Sequence, residues 1–184
     1  MQFLIIYATT EGQTHKIARF AQRHLARAGH AVELLSADTA LDGPIDYADY
    51  DGVLVMASVH AGTYQPSVVA LASRDGAALD RVHHAFISVS LSAAGTDPED
   101  WEGLRDVVEE FTTLTGWTPK TVEHVAGAFR FSRYNWFKHW AMRYIKSQKD
   151  PTGGAGGDDV EYTDWDALAA FLDRWAAEAG TKAA

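Results

Sequence analysis

Residues 3–14 run Phe3-Leu4-Ile5-Ile6-Tyr7-Ala8-Thr9-Thr10-Glu11-Gly12-Gln13-Thr14, an apolar run that passes directly into a polar turn. An uninterrupted apolar run of this length is typical of a central parallel strand, which is buried on both faces. Apolar residues then recur at helical spacing over residues 13–28, and Gly29 stands where such a helix would end. The sequence therefore predicts a strand, a turn and a helix, the unit from which doubly wound α/β sheets are built.

Strand and helix patterns alternate along the rest of the chain. Four more strands are predicted, over residues 31–35, 53–57, 85–91 and 122–131. Three more helices are predicted, over residues 66–79, 97–115 and 163–179. The last helix opens with a sequence that resembles a capping box, Thr163-Asp164-Trp165-Asp166. Five strands alternating with helices predict a doubly wound parallel sheet, and we expect one domain over residues 1–184.

Composition narrows the classes of function. The 184 residues are 47% hydrophobic, enough to bury a sizeable core, and no apolar run is long enough to span a membrane. The chain has no cysteine, which excludes disulfides, thiolate metal sites and iron–sulfur clusters. Its formal net charge of −9 argues against a nucleic-acid binder. We also expect no signal peptide, since residues 3–7 are too short and lack a basic flank.

The turn after the first strand carries three threonine hydroxyls and a glycine and leads into a helix. A helix N-terminus presents unpaired N–H groups and a partial positive charge, and hydroxyls add uncharged donors, so this turn suits a phosphate. Residues 9–14 contain no lysine or arginine, which disfavours a P-loop and fits the phosphate of flavin mononucleotide (FMN). The alternative from spacing alone is a polar turn with threonine caps, and Glu11 favours it because a carboxylate repels phosphate.

The turn and three longer stretches carry a family resemblance. Residues 9–14 resemble the flavodoxin phosphate loop, with Glu11 where flavodoxins usually carry a threonine. The longer stretches resemble the bacterial quinone-dependent protoporphyrinogen oxidase family, in which an acid in the phosphate loop is ordinary. They are Ala57-Ser58-Val59-His60-Ala61-Gly62-Thr63-Tyr64, Gly127-Ala128-Phe129-Arg130-Phe131-Ser132-Arg133-Tyr134-Asn135-Trp136 and Val160-Glu161-Tyr162-Thr163-Asp164-Trp165. The resemblance covers nearly the whole chain, and its most specific part is G-A-x-R-x-x-R-Y-x-W followed by a basic helix.

The resemblance implies a fold, a reaction and its partners. The fold would be flavodoxin-like, with a five-stranded parallel sheet of order 2-1-3-4-5 and a basic helical insert after strand five, at about residues 130–160. FMN would oxidise protoporphyrinogen IX to protoporphyrin IX in successive two-electron steps, with menaquinone or ubiquinone as the acceptor. Family members are associated with the inner face of the cytoplasmic membrane, so the expected location is cytoplasmic and peripheral to that membrane. No acid–base pair and no metal-ligand spacing stand out, so the catalytic residues are unknown and no metal is expected.

In a doubly wound sheet, ligands bind at the carboxyl ends of the strands, beside the point where the strand order reverses. The loops after strands three and four would therefore join the phosphate loop around FMN. Tyr64 either stacks on the flavin ring or covers the next helix, and His60 either contacts the ring edge or a substrate carboxylate or is a surface histidine. The expected FMN-binding residues are Thr9, Thr10, Glu11, Gly12, Gln13, Thr14, Ser58, Val59, His60, Ala61, Gly62, Tyr64, Ser90, Leu91, Ser92 and Gly95.

The charges of the chain are unevenly distributed. Residues 127–149 hold six of the 16 cations and none of the 25 acids, together with an aromatic stripe at helical spacing. A helix of this kind lies in a membrane interface, or holds a flat tetrapyrrole with its propionates on arginines, or packs on the domain as an ordinary amphipathic helix. The candidate substrate or membrane residues are Arg130, Arg133, Trp136, Trp140 and Arg143.

Three functions are therefore compatible with the sequence. The first is FMN-dependent oxidation of protoporphyrinogen IX with a membrane quinone as acceptor, a step of haem synthesis. The second is a soluble flavodoxin-type electron carrier, which would dock redox proteins through its acidic surface and has no need of a basic aromatic helix. The third is a domain that has lost FMN and acts only through protein interactions.

Overall fold

The computed structural model describes residues 1–129 and 160–182. Its strands are β1 (Gln2–Ala8), β2 (Ala31–Ser36), β3 (Gly52–Ser58), β4 (His84–Ser90) and β5 (Val122–Ala126). They form a parallel sheet in the order β2-β1-β3-β4-β5. The predicted sheet of order 2-1-3-4-5 is confirmed, and the reversal of strand order beside β1 opens a crevice at the carboxyl ends of β1 and β3.

Helices cover both faces of the sheet. They are α1 (Gln13–Arg27), α2 (Ala37–Leu41), α3 (Pro66–Leu79), α4 (Pro98–Thr115) and α5 (Trp165–Lys182). Helix α4 begins where the Asp97 carboxylate accepts the Glu99 N–H at 3.0 Å, and it ends at Gly116, which has a φ of 72°. The predicted bounds of α3 and α4 are confirmed, whereas the short helix α2 was not predicted. No helix among the described residues is both long and apolar enough to cross a membrane.

The central strand β1 is buried on both faces because each face packs on helices. Phe3 and Ile5 belong to a core that includes α1 and α5, where Trp175 contacts Phe3 with ring centroids 4.9 Å apart. Leu4 and Ile6 belong to the opposite core, with residues of α3 and α4. All four β1 side chains are fully buried. This two-sided burial accounts for the unbroken apolar run at the start of the chain.

The fifth strand is shorter than the sequence predicts. Pairing with β4 closes at Gly127, whose N–H donates to the Ser90 carbonyl at 2.9 Å. A two-residue strand β6 (Ala128–Phe129) then pairs antiparallel with β7 (Val160–Glu161), outside the main sheet. The prediction of one strand over residues 122–131 is therefore wrong, because the chain leaves the main sheet at Gly127. The basic insert predicted at about residues 130–160 lies outside the described residues except at Val160.

The last helix begins at Trp165, one residue later than a capping box at Thr163 would predict. The Asp164 carboxylate, not the Thr163 hydroxyl, caps α5 by accepting the Ala167 N–H at 2.9 Å. The Thr163 hydroxyl instead donates to the Ala126 carbonyl at 2.7 Å. The cap prediction at Thr163 is wrong because that side chain closes the end of β5.

Candidate functional site: a hydroxyl-lined pocket at the carboxyl edge of the sheet

A polar pocket lies at the carboxyl edge of the sheet, where the loops after β1, β3 and β4 meet the chain that follows β5. Its position is the crevice at which ligands bind in doubly wound sheets. None of the described residues that line it is a lysine or an arginine. The lining residues are Thr9, Thr10, Glu11, Gln13, Thr14, Ser58, Val59, His60, Val89, Ser90, Leu91, Gly127 and Ala128.

The N-terminus of α1 forms one wall of the pocket. Gly12 precedes the helix in a left-handed conformation with a φ of 91°, and it supplies no side chain to cap the first N–H groups. The first turn of α1 carries no acidic residue. Thr14 is fully buried in that turn, and its Oγ1 atom has no hydrogen-bond partner among the described residues. The N–H groups at the start of α1 and the Thr14 hydroxyl are therefore hydrogen-bond donors for which the described residues provide no acceptor side chain.

Four other hydroxyls of the pocket each accept a hydrogen bond from the protein. Thr9 Oγ1 accepts the Gly12 N–H at 2.9 Å, and Ser90 Oγ accepts the Ala93 N–H at 3.1 Å. The Gln65 amide donates to both of the others, to Thr10 Oγ1 at 3.0 Å and to Ser58 Oγ at 2.7 Å. A hydroxyl that accepts in this way keeps its own O–H proton for another partner. The pocket therefore presents donors and suits a ligand rich in acceptors.

Glu11 is the acidic group of the phosphate loop, and it also lines the pocket. Its side chain is partly exposed. A partly exposed carboxylate keeps much of its hydration and is screened by salt, so it opposes a bound anion less than a buried one would.

The loop after β3 is a tight turn. His60 and Thr63 exchange two backbone hydrogen bonds, with His60 N–H donating to Thr63 O at 2.8 Å and Thr63 N–H to His60 O at 3.1 Å. Ala61 and Gly62 both have positive φ angles, 51° and 81°, as type I′ turns require. The two turn-tip residues are exposed and do not line the pocket, whereas His60 does.

Tyr64 lies in the core and not at the pocket. Its hydroxyl donates to Ser88 Oγ at 2.8 Å, and its ring packs edge-on against Phe86 and Phe111. Burial raises the pKa of Tyr64 to about 12 against the opposing effect of the Ser88 bond. Stacking on a flavin ring needs an open aromatic face, so this arrangement favours the other interpretation of Tyr64, packing beneath the next helices.

The loop after β4 is a 3-10 turn, Ser92–Ala94. Leu91 and Ser90 line the pocket, whereas Ser92 and Gly95 do not. Gly95 packs against α4, where its carbonyl accepts the Trp101 Nε1–H at 3.0 Å and where a Cβ would meet Asp100 Oδ2 at 2.7 Å.

The side of the pocket formed by Gly127 and Ala128 is held in place by a polar cluster that joins α1, β5 and β7. The buried Gln13 amide donates to Glu161 Oε1 and to Thr163 Oγ1, both at 3.0 Å. Lys16 forms a salt bridge with the same Glu161 carboxylate. Burial acts to raise the pKa of Glu161, but Lys16 and Gln13 outweigh it, so that pKa lies below its usual value. The cluster fixes Gly127 and Ala128 beside the phosphate loop.

The structure brings together ten of the sequence-predicted site residues and separates six others from the pocket surface. Those at the pocket are Thr9, Thr10, Glu11, Gln13, Thr14, Ser58, Val59, His60, Ser90 and Leu91. Those that do not line it are Gly12, Ala61, Gly62, Tyr64, Ser92 and Gly95. The candidate residues Arg130, Arg133, Trp136, Trp140 and Arg143 lie outside the described residues.

Sequence reasoning missed Gln65 and the wall at residues 127–128. One signal was present for Gln65, because the residue before Pro66 stands at the start of a helix and therefore at the carboxyl edge of the sheet. For Gly127 the signal was a glycine inside the strand predicted over residues 122–131, which marks a close backbone approach.

The residues of the pocket fit FMN. The phosphate would meet the uncapped N–H groups of α1 and the hydroxyls of Thr9, Thr10 and Thr14, all of them donors. Ser58 and Ser90, on the loops after β3 and β4, would supply O–H donors to the acceptor atoms of the rest of the ligand. The arrangement can hold an acceptor-rich anion without any cationic side chain.

This chain is similar to known proteins in sequence and in fold. The chain is 27% identical over 179 residues to "Protoporphyrinogen IX dehydrogenase [quinone]" of Escherichia coli (strain K12), covering 93% of this chain and 92% of that protein. It is 29% identical over 176 residues to a protein of the same name from Leishmania major, covering 95% of this chain and 74% of that one. The crystal structure of oxidised Flavodoxin 2 from Bacillus cereus superposes with a TM-score of 0.50 at 16% identity, over 97% of this chain and 99% of that one. The family model described as "Flavodoxin domain" matches residues 4–153, and the chain belongs to the flavodoxin domain family.

Proposed function

We propose that this protein binds FMN and oxidises protoporphyrinogen IX to protoporphyrin IX, with a membrane quinone as the electron acceptor. In each two-electron step the porphyrinogen loses two electrons and two protons, and one quinone takes up two of each to become a quinol. The observation that carries the proposal is the similarity to proteins named for this reaction, which extends over 93–95% of the chain.

The pocket supports FMN as the cofactor. Bound FMN supplies the redox chemistry, and the chain supplies its binding and orientation. The N-terminus of α1 and the hydroxyls of Thr9, Thr10 and Thr14 bind the phosphate, since these groups are donors in need of an acceptor. The loops after β3 and β4 bind the rest of the molecule through Ser58 and Ser90. His60, in the turn after β3, lines the pocket beside Ser58.

The test is an anaerobic turnover assay with purified protein loaded with FMN. Protoporphyrinogen IX is supplied with a menaquinone or a ubiquinone analogue, and porphyrin fluorescence is followed. We expect porphyrin to form only when protein, FMN and quinone are all present, with saturation in both substrates. Free FMN with quinone is the control for uncatalysed oxidation.

A flavodoxin-type electron carrier would give a different result in the same assay. Such a carrier accepts electrons from a redox partner and has no site for a porphyrinogen. FMN-loaded protein that takes up electrons from a chemical reductant, but forms no porphyrin with any quinone, would contradict the enzymatic proposal and favour the carrier. Protein that binds no FMN at micromolar concentration would contradict both.

We also propose that the protein reaches its quinone by peripheral association with the membrane, through the cations of residues 130–149. Anionic lipid attracts such cations by about 1 kcal/mol each near the surface, and the attraction falls with salt. In liposome flotation we expect the protein to float with vesicles containing phosphatidylglycerol at low salt and to be released at high salt.

The matched variants for flotation carry equal charge changes in two places. Replacing Lys138, Arg143 and Lys146 by glutamate should lower the floating fraction by about tenfold or more. The same change at Arg19, Arg23 and Arg27, three exposed cations of α1, should lower it far less. Equal losses in the two triple variants, or no flotation of the wild-type protein, would overturn the assignment of the membrane contact to residues 130–149.

A further inference from the structure

Gln65 connects two loops of the pocket through one side-chain amide. It occupies the N-cap position of α3, but its side chain makes no capping hydrogen bond to that helix. The amide reaches instead across the pocket edge, where Nε2 lies 3.0 Å from Thr10 Oγ1 and 2.7 Å from Ser58 Oγ. Thr10 belongs to the loop after β1 and Ser58 to the end of β3, so the residue that precedes α3 contacts both.

The orientation of the amide is fixed by a third contact. The Ser58 backbone N–H donates to Gln65 Oε1 at 3.3 Å. Since a backbone N–H can only donate, the oxygen of the amide must face it, and the NH2 group must face the two hydroxyls. Both hydroxyls therefore accept from Gln65.

We propose that Gln65 is a positioning residue that makes Thr10 and Ser58 hydrogen-bond donors toward the ligand, and so sets the preference of the pocket for the phosphorylated flavin. One lone pair of each hydroxyl oxygen accepts the hydrogen bond from Gln65. The O–H proton of that hydroxyl is therefore directed away from Gln65 and toward the pocket. A proton on Thr10 that points at the phosphate is a charge-assisted donor, and such bonds are stronger than neutral ones. The inference rests on the proposed binding of FMN and adds a residue that acts without touching it.

The experiment compares FMN with riboflavin, which has the same ring and lacks the phosphate. Dissociation constants are measured by quenching of flavin fluorescence in wild-type protein and in Gln65→Met, a neutral substitution of similar length. We expect the variant to bind FMN about tenfold more weakly, because the donor of a charge-assisted hydrogen bond to the phosphate is no longer oriented. Riboflavin affinity should fall by less than about threefold.

A double-mutant cycle tests whether Gln65 acts through Thr10. Thr10→Val removes the hydroxyl and keeps the shape of the side chain. In that background Gln65→Met should change FMN affinity by less than about threefold, because the proton aimed at the phosphate is gone and only the Ser58 hydroxyl is left to orient. Gln22→Met is the matched control: Gln22 lies on α1 and its amide donates to the Val32 carbonyl of β2, away from the pocket, so FMN affinity should be unchanged.

Gln65→Glu is a second variant, to be used if Gln65→Met folds poorly. It keeps an acceptor for the Ser58 N–H. Its carboxylate would accept both hydroxyl protons, so the loss of FMN affinity relative to riboflavin should exceed that of Gln65→Met. Equal weakening of FMN and riboflavin, or additive effects in the cycle, would overturn the role of Gln65 while leaving FMN binding intact. Failure of the wild-type protein to bind FMN would overturn this inference together with the proposed function.

Discussion

Thr14 is the residue at which the proposed ligand site and the stability of the fold make opposite demands. Its hydroxyl is buried in the first turn of α1 without a hydrogen-bond partner among the described residues. A buried polar group without a partner loses its hydration and lowers the stability of the folded protein. The phosphate of the proposed FMN would supply the acceptor that this hydroxyl lacks.

Thr14→Val should therefore separate binding from stability. We expect FMN affinity to fall by about tenfold or more, since a donor to the phosphate is lost, while the free energy of unfolding without FMN stays unchanged or rises. Thr163→Val is the matched control, because the Thr163 hydroxyl makes two hydrogen bonds, with Gln13 and with the Ala126 carbonyl. That variant should lose about 1–3 kcal/mol of stability, and urea unfolding of both apo-proteins measures the contrast.

A loss of stability in Thr14→Val as large as in Thr163→Val would mean that the Thr14 hydroxyl serves the fold. Unchanged FMN affinity in Thr14→Val would remove this residue from the phosphate site.

The elements of the fold differ in how far local sequence determines them. β1 and α4 were predictable because each carries its own signal, the unbroken apolar run of β1 and the Asp97-Pro98 start of α4. The end of β5 was not recognised, since only Gly127 interrupts the strand-like composition of residues 122–131. What ends the strand is a long-range contact, the Thr163 hydroxyl on Ala126, which no local window contains.

The same distinction holds for the candidate site. The position of residues 9–14 at the pocket was predictable because their hydroxyls and glycine are adjacent in the sequence and follow a recognisable strand. The role of Tyr64 was ambiguous from sequence, because an aromatic residue after a strand can cover the core or face a ligand. The core surface beneath it, formed by Phe86 and Phe111, comes from two distant elements. Gln65 escaped prediction because its importance lies in contacts with Thr10 and Ser58 that only the assembled sheet creates.

At the scale of the whole molecule, stability depends on histidines that stay neutral in the fold. His84 begins β4 with a fully buried side chain, where Nδ1 bonds to the Val82 carbonyl and Nε2 accepts the Lys120 N–H at 3.2 Å. Burial lowers the pKa of His84 below its usual 6.5, against smaller opposing effects from nearby carbonyls and Asp80. Burial, assisted by Arg105, also lowers the pKa of His124.

The protein should therefore lose stability in mild acid. A lowered pKa means that the unfolded chain binds protons more readily than the folded one, so this stability is complete above pH 6.5 and is lost as the pH falls below it. We expect the urea midpoint of unfolding to be lower at pH 5.5 than at pH 7.5. The drop should be smaller in His84→Gln than in wild-type protein, and unchanged in His15→Gln, which alters an exposed ring.

A drop of the same size in His84→Gln and wild-type protein would assign the acid sensitivity to other groups. Glu161 and Asp75 contribute in the same direction at lower pH, since the pKa of each carboxyl lies below its usual value and folding then favours the ionised form.

The short pairing of β6 with β7 has a consequence for the history of such proteins. Ala128 lies opposite Glu161 and Phe129 opposite Val160, so the residues before position 130 and after position 159 are neighbours in the structure. The entropy of closing a loop grows only slowly with its length, so residues can be added or deleted between two such points at little cost to the parent domain. A domain of this fold can in this way acquire, lengthen or exchange a segment between β6 and β7 without redesign of its main sheet.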